Sequence, residues 1–441
     1  MSHSNWGNYP LTEAPEHRFQ PGMNPSELNG HWIPRGMGRC YGDSSLGESM
    51  VSILPQNRFL AFDEQTGILK AEAGVTYADL LETFVPRGWF PPVTPGTKFV
   101  SLGGAIASDV HGKNHHKEGS LSSHTLSFEL LLADGRIVNC SREENAKLFD
   151  ATLGGMGLTG MVLTVTLKMK PIETSLIKLH SIKARNLDEL MDLFEQYNHV
   201  TYSVAWIDCL SKGNKMGRSH LTIGEHASLE DIAGTKHAKN PLKLPPKTAI
   251  PIPIYFPNFA LNQLTIKTFN FLYYNRQFKK EVKTFVPYEG YFYPLDKLLN
   301  WNRIYGKRGF TQYQFVIPPE KGREGMREIM KRIAKQGLGS FLAVLKTFGA
   351  QEEGMIAFPE KGYTLALDFP ITKKLFPFLD ELDELVASYG GRIYLTKDVR
   401  MKPEMLQKTY PRLPEFKALL KEIDPEQRIR SMQSERLQIH G

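Results

Sequence analysis

Apolar and polar residues alternate most regularly from Met161 to Lys170, where Met161, Leu163, Val165, Leu167 and Met169 share one side of an extended chain. A period of two predicts a half-buried strand. Ile68–Ala73 reads as a shorter strand. Thr76, with Asp79 three residues on and Gly88 beyond, predicts a capped helix. Leu126–Leu132, Ala133-Asp134-Gly135 and Arg136–Cys140 predict a hairpin.

Beyond Pro171 the texture changes. Leu187, Leu190, Met191 and Phe194 lie at helical spacing and predict a helix over Leu187–Tyr197. The proline-rich piece from Pro241 to Pro257 excludes regular helix or central strand. Further strands are expected over Gln312–Ile317, Phe341–Phe348, Tyr363–Phe369 and Arg392–Leu395. Helices are expected over Gly322–Gln336 and over Phe376–Tyr389, the latter closed by Gly390-Gly391. A chain of 441 residues exceeds the roughly 250–300 that one core supports, so at least two domains of mixed α+β character are expected.

Charge adds one feature. There are 54 Lys and Arg against 47 Asp and Glu, a net +7. Between Ser211 and Ile250 stand Lys212, Lys215, Arg218, Lys236, Lys239, Lys243 and Lys247 against Glu225, Glu230 and Asp231. Such an excess fits nucleic acid, anionic lipid or a phosphorylated substrate. The basic residues lack interleaved aromatics and match no nucleic-acid-binding module, so no nucleic-acid partner is expected. There is no signal-like apolar segment near Met1 and no membrane-spanning run. Cys40, Cys140 and Cys209 are too few for a disulfide framework or thiolate metal site. A cytoplasmic setting follows as the expectation.

Candidate chemistry lies in small-residue clusters. Arg35-Gly36-Met37-Gly38-Arg39-Cys40-Tyr41-Gly42-Asp43 has glycines and arginines suited to cradling a pyrophosphate. Pro95-Gly96-Thr97 and Ser101–Asp109 leave nothing large at 103–105, which suits a flat ligand on the backbone. Gly155–Gly160 matches G-x-G-x-x-G, but its strong strand follows rather than precedes it, against a dinucleotide fold of the doubly wound type. His111-Gly112-Lys113-Asn114-His115-His116 is the densest polar patch. Gly112 and Asn114 disfavour the helix that paired metal ligands need, so no metal is expected. A histidine and a lysine beside the small residues supply a proton-exchanging group and an anion holder instead.

Three glycine-rich pieces in this order before an alternating strand resemble the FAD-binding domain of vanillyl-alcohol-oxidase-type flavoproteins. The strings Gly103–His116, Gln312–Pro318, Ala366–Pro370 and Tyr394–Asp398 are similar to the flavoprotein subunits of decaprenylphosphoryl-ribose 2′-epimerases. The resemblance implies a two-lobed α+β fold. Residues 1–175 would form the flavin lobe, 176–391 the substrate lobe with mobile basic and proline-rich loops at 211–257, and 392–441 a segment returning to the flavin lobe.

It also implies oxidation of a 2′-hydroxyl of a polyprenyl-phosphoryl pentose by hydride transfer to flavin N5. A separate NADH-dependent short-chain reductase would complete the epimerisation. Placed in the substrate lobe beside the proline-rich piece, the basic block at 211–250 suits a lip over the substrate entrance that faces an anionic membrane surface. The cofactor contacts implied are Arg35, Gly36, Met37, Gly38, Arg39, Cys40, Tyr41 and Gly42 in the first segment. In the second they are Gly96, Thr97, Ser101, Leu102, Gly103, Gly104, Ala105, Ser108 and Asp109, followed by His111, Gly112 and Asn114. Gly157, Val162 and Tyr394 complete them.

Lys397 is the implied contact to the reacting hydroxyl, with His111, Tyr41 and Lys113 beside it; it acts as base only if burial or a nearby cation lowers its pKa, and otherwise positions the sugar. Gln312, Gln314, Lys346, Phe292 and Ala366 would hold the substrate, with Gln314 on sugar hydroxyls and Lys346 on a phosphate or on the reduced flavin's negative charge. Arg39 stands where many relatives carry a flavin-linking histidine, so non-covalent FAD is expected. Ala366 replaces a cysteine of the epimerase pattern, and Phe292 a tyrosine. Within the same superfamily, a soluble sugar or alditol oxidase using oxygen is the alternative.

Overall fold

The protein is described by a computed structural model covering residues 2–246, 249–350 and 353–440. Two antiparallel sheets organise it. The first runs in the order Phe59–Asp63, Ile68–Glu72, Met161–Lys168, Thr125–Leu131 and Ile137–Ser141. Its central strand is the alternating segment, with Met161, Val165 and Leu167 buried. Helix Tyr77–Phe84 begins at the expected capping box: Thr76 Oγ1 accepts from Asp79 N, and the Asp79 carboxylate accepts from Thr76 N. Gly88, at φ 81°, ends the turn that follows. A three-stranded parallel sheet of Glu16–Arg18, Met50–Ser52 and Ile33–Arg35 lies beside this unit. The C-terminal chain is stitched to it through Trp32 N to Arg428 O and Arg430 N to Trp32 O.

The second sheet has eight strands. Their order is Glu281–Pro287, Leu176–Ala184, Ser219–His226, Tyr202–Ile207, Ala343–Phe348, Gly362–Pro370, Phe310–Ile317 and Arg392–Ile393. Helices Pro319–Gln336 and Leu375–Ser388 cover one face. There Tyr313, Phe315, Ile317, Leu345, Leu365 and Leu367 are buried, each aliphatic side chain contributing roughly 1.5–3 kcal/mol. The strand period of two then sends Gln312, Gln314, Val344, Lys346 and Ala366 to the opposite face. Leu179, Ser181, Val204, Trp206, His220 and Thr222 follow the same rule on the neighbouring strands. This second face is one wall of the site.

Several expectations are corrected here. The segment 211–257, expected as loops, contains the interior strand Ser219–His226, and Arg218 just before it is paired with Asp208 at 2.8 Å. Lys247 lies outside the described residues. Arg392–Ile393 pair with Val316 and Phe315 at the edge of the large sheet, and Leu395–Lys397 form a 3-10 turn rather than continuing the strand. Leu176–Ala184, Tyr202–Ile207, Glu281–Pro287 and helix Gln263–Asn275 were not expected.

Candidate active site

A cavity of about 850 Å3 lies between the two sheets, the size of a cofactor site. Its first end is built by the glycine-rich segments. Gly36, Met37, Gly38, Arg39, Cys40 and Tyr41 line one side; Gly96, Thr97, Ser101, Gly103, Gly104, Ala105 and Ser108 line another. The turn before the central strand contributes Gly157, and the strand itself contributes Val162. Gly38 has φ 59°, where a side chain would be strained, and a Cβ on Gly36 would run into Ser101 Oγ. A Cβ on Gly96 would meet nothing within 4 Å. These bare backbones leave room for a flat dinucleotide, and their amides suit its phosphates. The residues present therefore fit FAD.

Arg39 donates from Nε to the Phe99 carbonyl at 3.1 Å, with its guanidinium 4.1 Å from the Trp6 ring centre. Cys40 Sγ lies 3.3 Å from Ser45 Oγ. Arg35 also lines the cavity, but its guanidinium is committed to Asn5 Oδ1 at 2.6 Å and Ser4 O at 2.9 Å. It fixes the loop to the N-terminal segment. Four expected contacts are absent from the lining and support it from behind. Gly42 abuts the Asp398 backbone, and Leu102 is fully buried in the core. Asp109 accepts from Ser120 Oγ at 2.7 Å and Ser122 N at 2.9 Å. Asn114 donates to Pro92 O at 2.8 Å and Glu118 Oε2 at 2.6 Å.

The second end is bounded by the large sheet. Lys397 Nζ sits 3.9 Å from the Tyr41 ring centre. Burial pushes its ammonium down to about 8, with the Asp368 carboxylate opposing. Burial and the Lys397 charge bring Lys346 to about 7. Burial and Lys346 bring Lys113 to about 7. Lys113 Nζ donates to the Tyr291 carbonyl and lies 4.5 Å from that ring. His111 is held well below its ordinary value by burial and then by Lys346, so its ring is neutral. Its Nε2 is 2.9 Å from the Gln314 amide, and its buried Nδ1 has no partner among the described residues. Gly112, Phe292 and Tyr394 complete this wall, with Tyr394 Oη donating to Ser108 O at 2.8 Å.

The three clustered histidines diverge. His115 Nδ1 accepts from Gly349 N at 3.1 Å, while His116 Nε2 is 2.8 Å from Val200 O. They do not share a centre with His111.

Sequence reasoning missed the carboxylates and the arginine that set this geometry. Asp368 Oδ1 accepts from Gln312 Nε2 at 2.6 Å and Oδ2 from Tyr305 Oη at 3.2 Å. Burial raises its carboxyl to about 7, against the hydrogen bond from Gln312 and the Lys397 charge. Arg436 bridges Asp43 at 2.8 Å and Asp398 at 2.8 Å. One guanidinium thus ties the first glycine loop to the residue after Lys397. Asp398 lies beside a lysine in the Tyr394–Asp398 string, the one sequence signal of this bridge.

A family model described as an FAD binding domain matches residues 26–141. Over 414 residues the chain is 37% identical to decaprenylphosphoryl-beta-D-ribose oxidase of Mycolicibacterium smegmatis, covering 92% of this chain and 89% of that protein. It is 35% identical over 360 residues to an uncharacterized protein in the mprA 5′ region of Streptomyces coelicolor, covering 80% of this chain and 96% of that one. A more distant likeness, 29% over 157 residues, covers 35% of this chain and 36% of mouse L-gulonolactone oxidase.

Proposed function

Because the chain belongs to the decaprenylphosphoryl-β-D-ribose oxidase family of FAD-dependent oxidoreductases, we propose that it oxidises the 2′-hydroxyl of a polyprenyl-phosphoryl pentose to the 2′-keto sugar. The observation that carries this reading is the convergence of Lys397, Lys346, Gln312 and Gln314 on one wall, facing a glycine cradle that fits FAD. FAD, when bound along that cradle, supplies the acceptor for the hydride. Residues 1–175 with the C-terminal segment after Ile393 are read as the flavin lobe and 176–393 as the substrate lobe, since Arg392–Ile393 pair into the large sheet.

The residues then divide the work. Oxidation of a secondary alcohol removes the carbinol hydrogen with its electron pair and the hydroxyl proton separately. Lys397 Nζ, made accessible as a neutral amine by burial, takes the proton. Gln312 and Gln314 hold the sugar hydroxyls through their amides, Gln312 being locked by Asp368 and Gln314 by His111. Lys346 and Lys113 place positive charge where the phosphoryl group sits. Tyr41, whose hydroxyl burial keeps protonated, supports Lys397 by its ring. Phe292 and Ala366 give the apolar floor, and the small Ala366 leaves space beside Gln314, its directly paired neighbour. A keto sugar leaving this site requires re-reduction on the other face, assigned to a separate NADH-dependent short-chain reductase. A polyprenyl tail is met at an anionic membrane surface.

The test is anaerobic mixing of FAD-loaded protein with polyprenyl-phosphoryl ribose. Bleaching of the visible flavin band is expected, and release of all flavin on acid precipitation is expected for non-covalent FAD. Bleaching by free pentose or alditol with peroxide release in air, but none by the lipid sugar, replaces the reading with a soluble sugar oxidase.

A further inference from the structure

The helix Gln263–Asn275 is apolar on both faces. Its inner face is fixed: Ile266 is buried, Asn270 Nδ2 donates to Asp208 Oδ1 at 2.8 Å, and the Tyr273 ring lies 4.5 Å from Trp206. Its outer face presents Leu264, Phe271 and Leu272, with relative exposures of 73%, 56% and 62%. These positions, i, i+7 and i+8, form one stripe. Phe278, just beyond the helix, is 95% exposed. Exposed leucines are ordinary singly; two leucines and two phenylalanines exposed on one face, with Lys267 and Thr268 between them, mark an interaction surface.

Charge identifies what covers it. Residues 232–280 hold eight Lys and Arg and no Asp or Glu. The rest of the chain then has 46 basic against 47 acidic residues, so the whole net charge of +7 resides in this stretch. Lys267 lies on the helix and Lys279 just past it, while the neighbouring Lys280 is paired with Glu189. An apolar stripe bordered by cations is the pattern of an element lying in an anionic lipid interface. Tyr273, on the inner side of the helix, and Arg276 and Gln277, just past its end, line the cavity. The helix is therefore part of the cavity wall while its outer face meets solvent.

We propose that the outer face of Gln263–Asn275, with Phe278, docks into an anionic lipid surface and sets the cavity wall against it. A lipid-linked sugar then reaches the site without its tail crossing water. This deepens the proposed lipid-linked substrate and rests on that reading for its purpose.

The experiment is co-sedimentation of the FAD-loaded full chain with phosphatidylcholine vesicles, without and with roughly 30% phosphatidylglycerol. These vesicles contain no substrate, so the result is independent of the oxidation chemistry. Wild-type protein is expected to sediment with the anionic vesicles. The triple variant Leu264→Ser, Phe271→Ser, Leu272→Ser is expected to lose at least about tenfold in partitioning while keeping its flavin spectrum. Lys267→Glu with Lys279→Glu is expected to abolish the preference for phosphatidylglycerol. In Phe271→Trp, vesicles are expected to shift the added tryptophan's emission to the blue. Wild-type protein remaining in the supernatant, or the triple variant sedimenting equally well, overturns the proposal. So does a concentration-dependent dimer that the triple variant abolishes in the absence of vesicle binding. Vesicle binding without oxidation of a polyprenyl-phosphoryl pentose keeps this surface and removes the proposed function instead.

Discussion

Lys397→Met removes the amine from the site while keeping an unbranched side chain over Tyr41. Burial lowers the wild-type ammonium from 10.5 to about 8. At pH 7 roughly a tenth of the protein thus holds a neutral amine, against about one part in 3,000 for a solvated lysine, a gain of ~300-fold. A positioned base contributes about 10²–10⁴ in rate, so flavin reduction by saturating substrate should slow by that factor. The wild-type rate should rise almost tenfold per pH unit below about 8 and then level; the variant should lose this slope. Lys346, lowered by burial and next by the Lys397 charge, should regain proton affinity in the variant. The anionic group should then bind as well as before or better, so the loss appears in kcat and not in KM. Stopped-flow absorbance across pH measures both. A variant reduced within about threefold of wild type, with the pH slope intact, refutes the assignment of Lys397 as base.

Gly96→Leu should fold with unchanged Tm in the absence of FAD but fail to retain flavin on gel filtration, because its side chain enters open cavity space. Retention of stoichiometric FAD would remove Gly96 from the cradle. Arg436→Ala removes the guanidinium shared by Asp43 and Asp398, leaving the pair only the more distant charge of Arg400 on Asp398, and should cost about 3–5 kcal/mol in denaturant unfolding; a loss under about 1 kcal/mol contradicts the bridge. Asp368 has a folded pKa near 7, above its ordinary 3.8, so its contribution to stability is present below the ordinary value and lost as pH rises through about 7. Asp368→Asn should therefore gain Tm relative to wild type as pH rises from about 4 to about 7 and then level, and a difference that stays flat across that range argues against a buried titrating carboxyl.

Legibility in the sequence followed the physics of each element. Met161–Lys168 was readable because its two faces meet different surroundings, and helix Tyr77–Phe84 because its cap is a local motif. The glycine segments announced a cradle because bare backbone has few other uses at such density. Leu176–Ala184 and Ser219–His226 escaped notice because their cavity faces carry Ser, His and Thr. That polar content belongs to the site and blurs the pattern of a buried strand. Gln263–Asn275 was obscured by the opposite effect, since apolar residues on both faces erase the helical stripe. The Arg436–Asp43 bridge joins residues 393 positions apart, a separation no local pattern reports. Asp368 stood inside a recognised string, yet its role depends on Gln312 and Tyr305 arriving from other segments.

Oxidation at the 2′-position of a lipid-linked pentose is the reaction proposed for this cavity. Its most direct test is anaerobic flavin reduction by polyprenyl-phosphoryl ribose carrying deuterium at C2′. Bleaching with a primary isotope effect and a 2′-keto product is expected. Bleaching at the same rate with C2′ hydrogen or deuterium and no 2′-keto product, or no bleaching by an FAD-loaded enzyme, would contradict it.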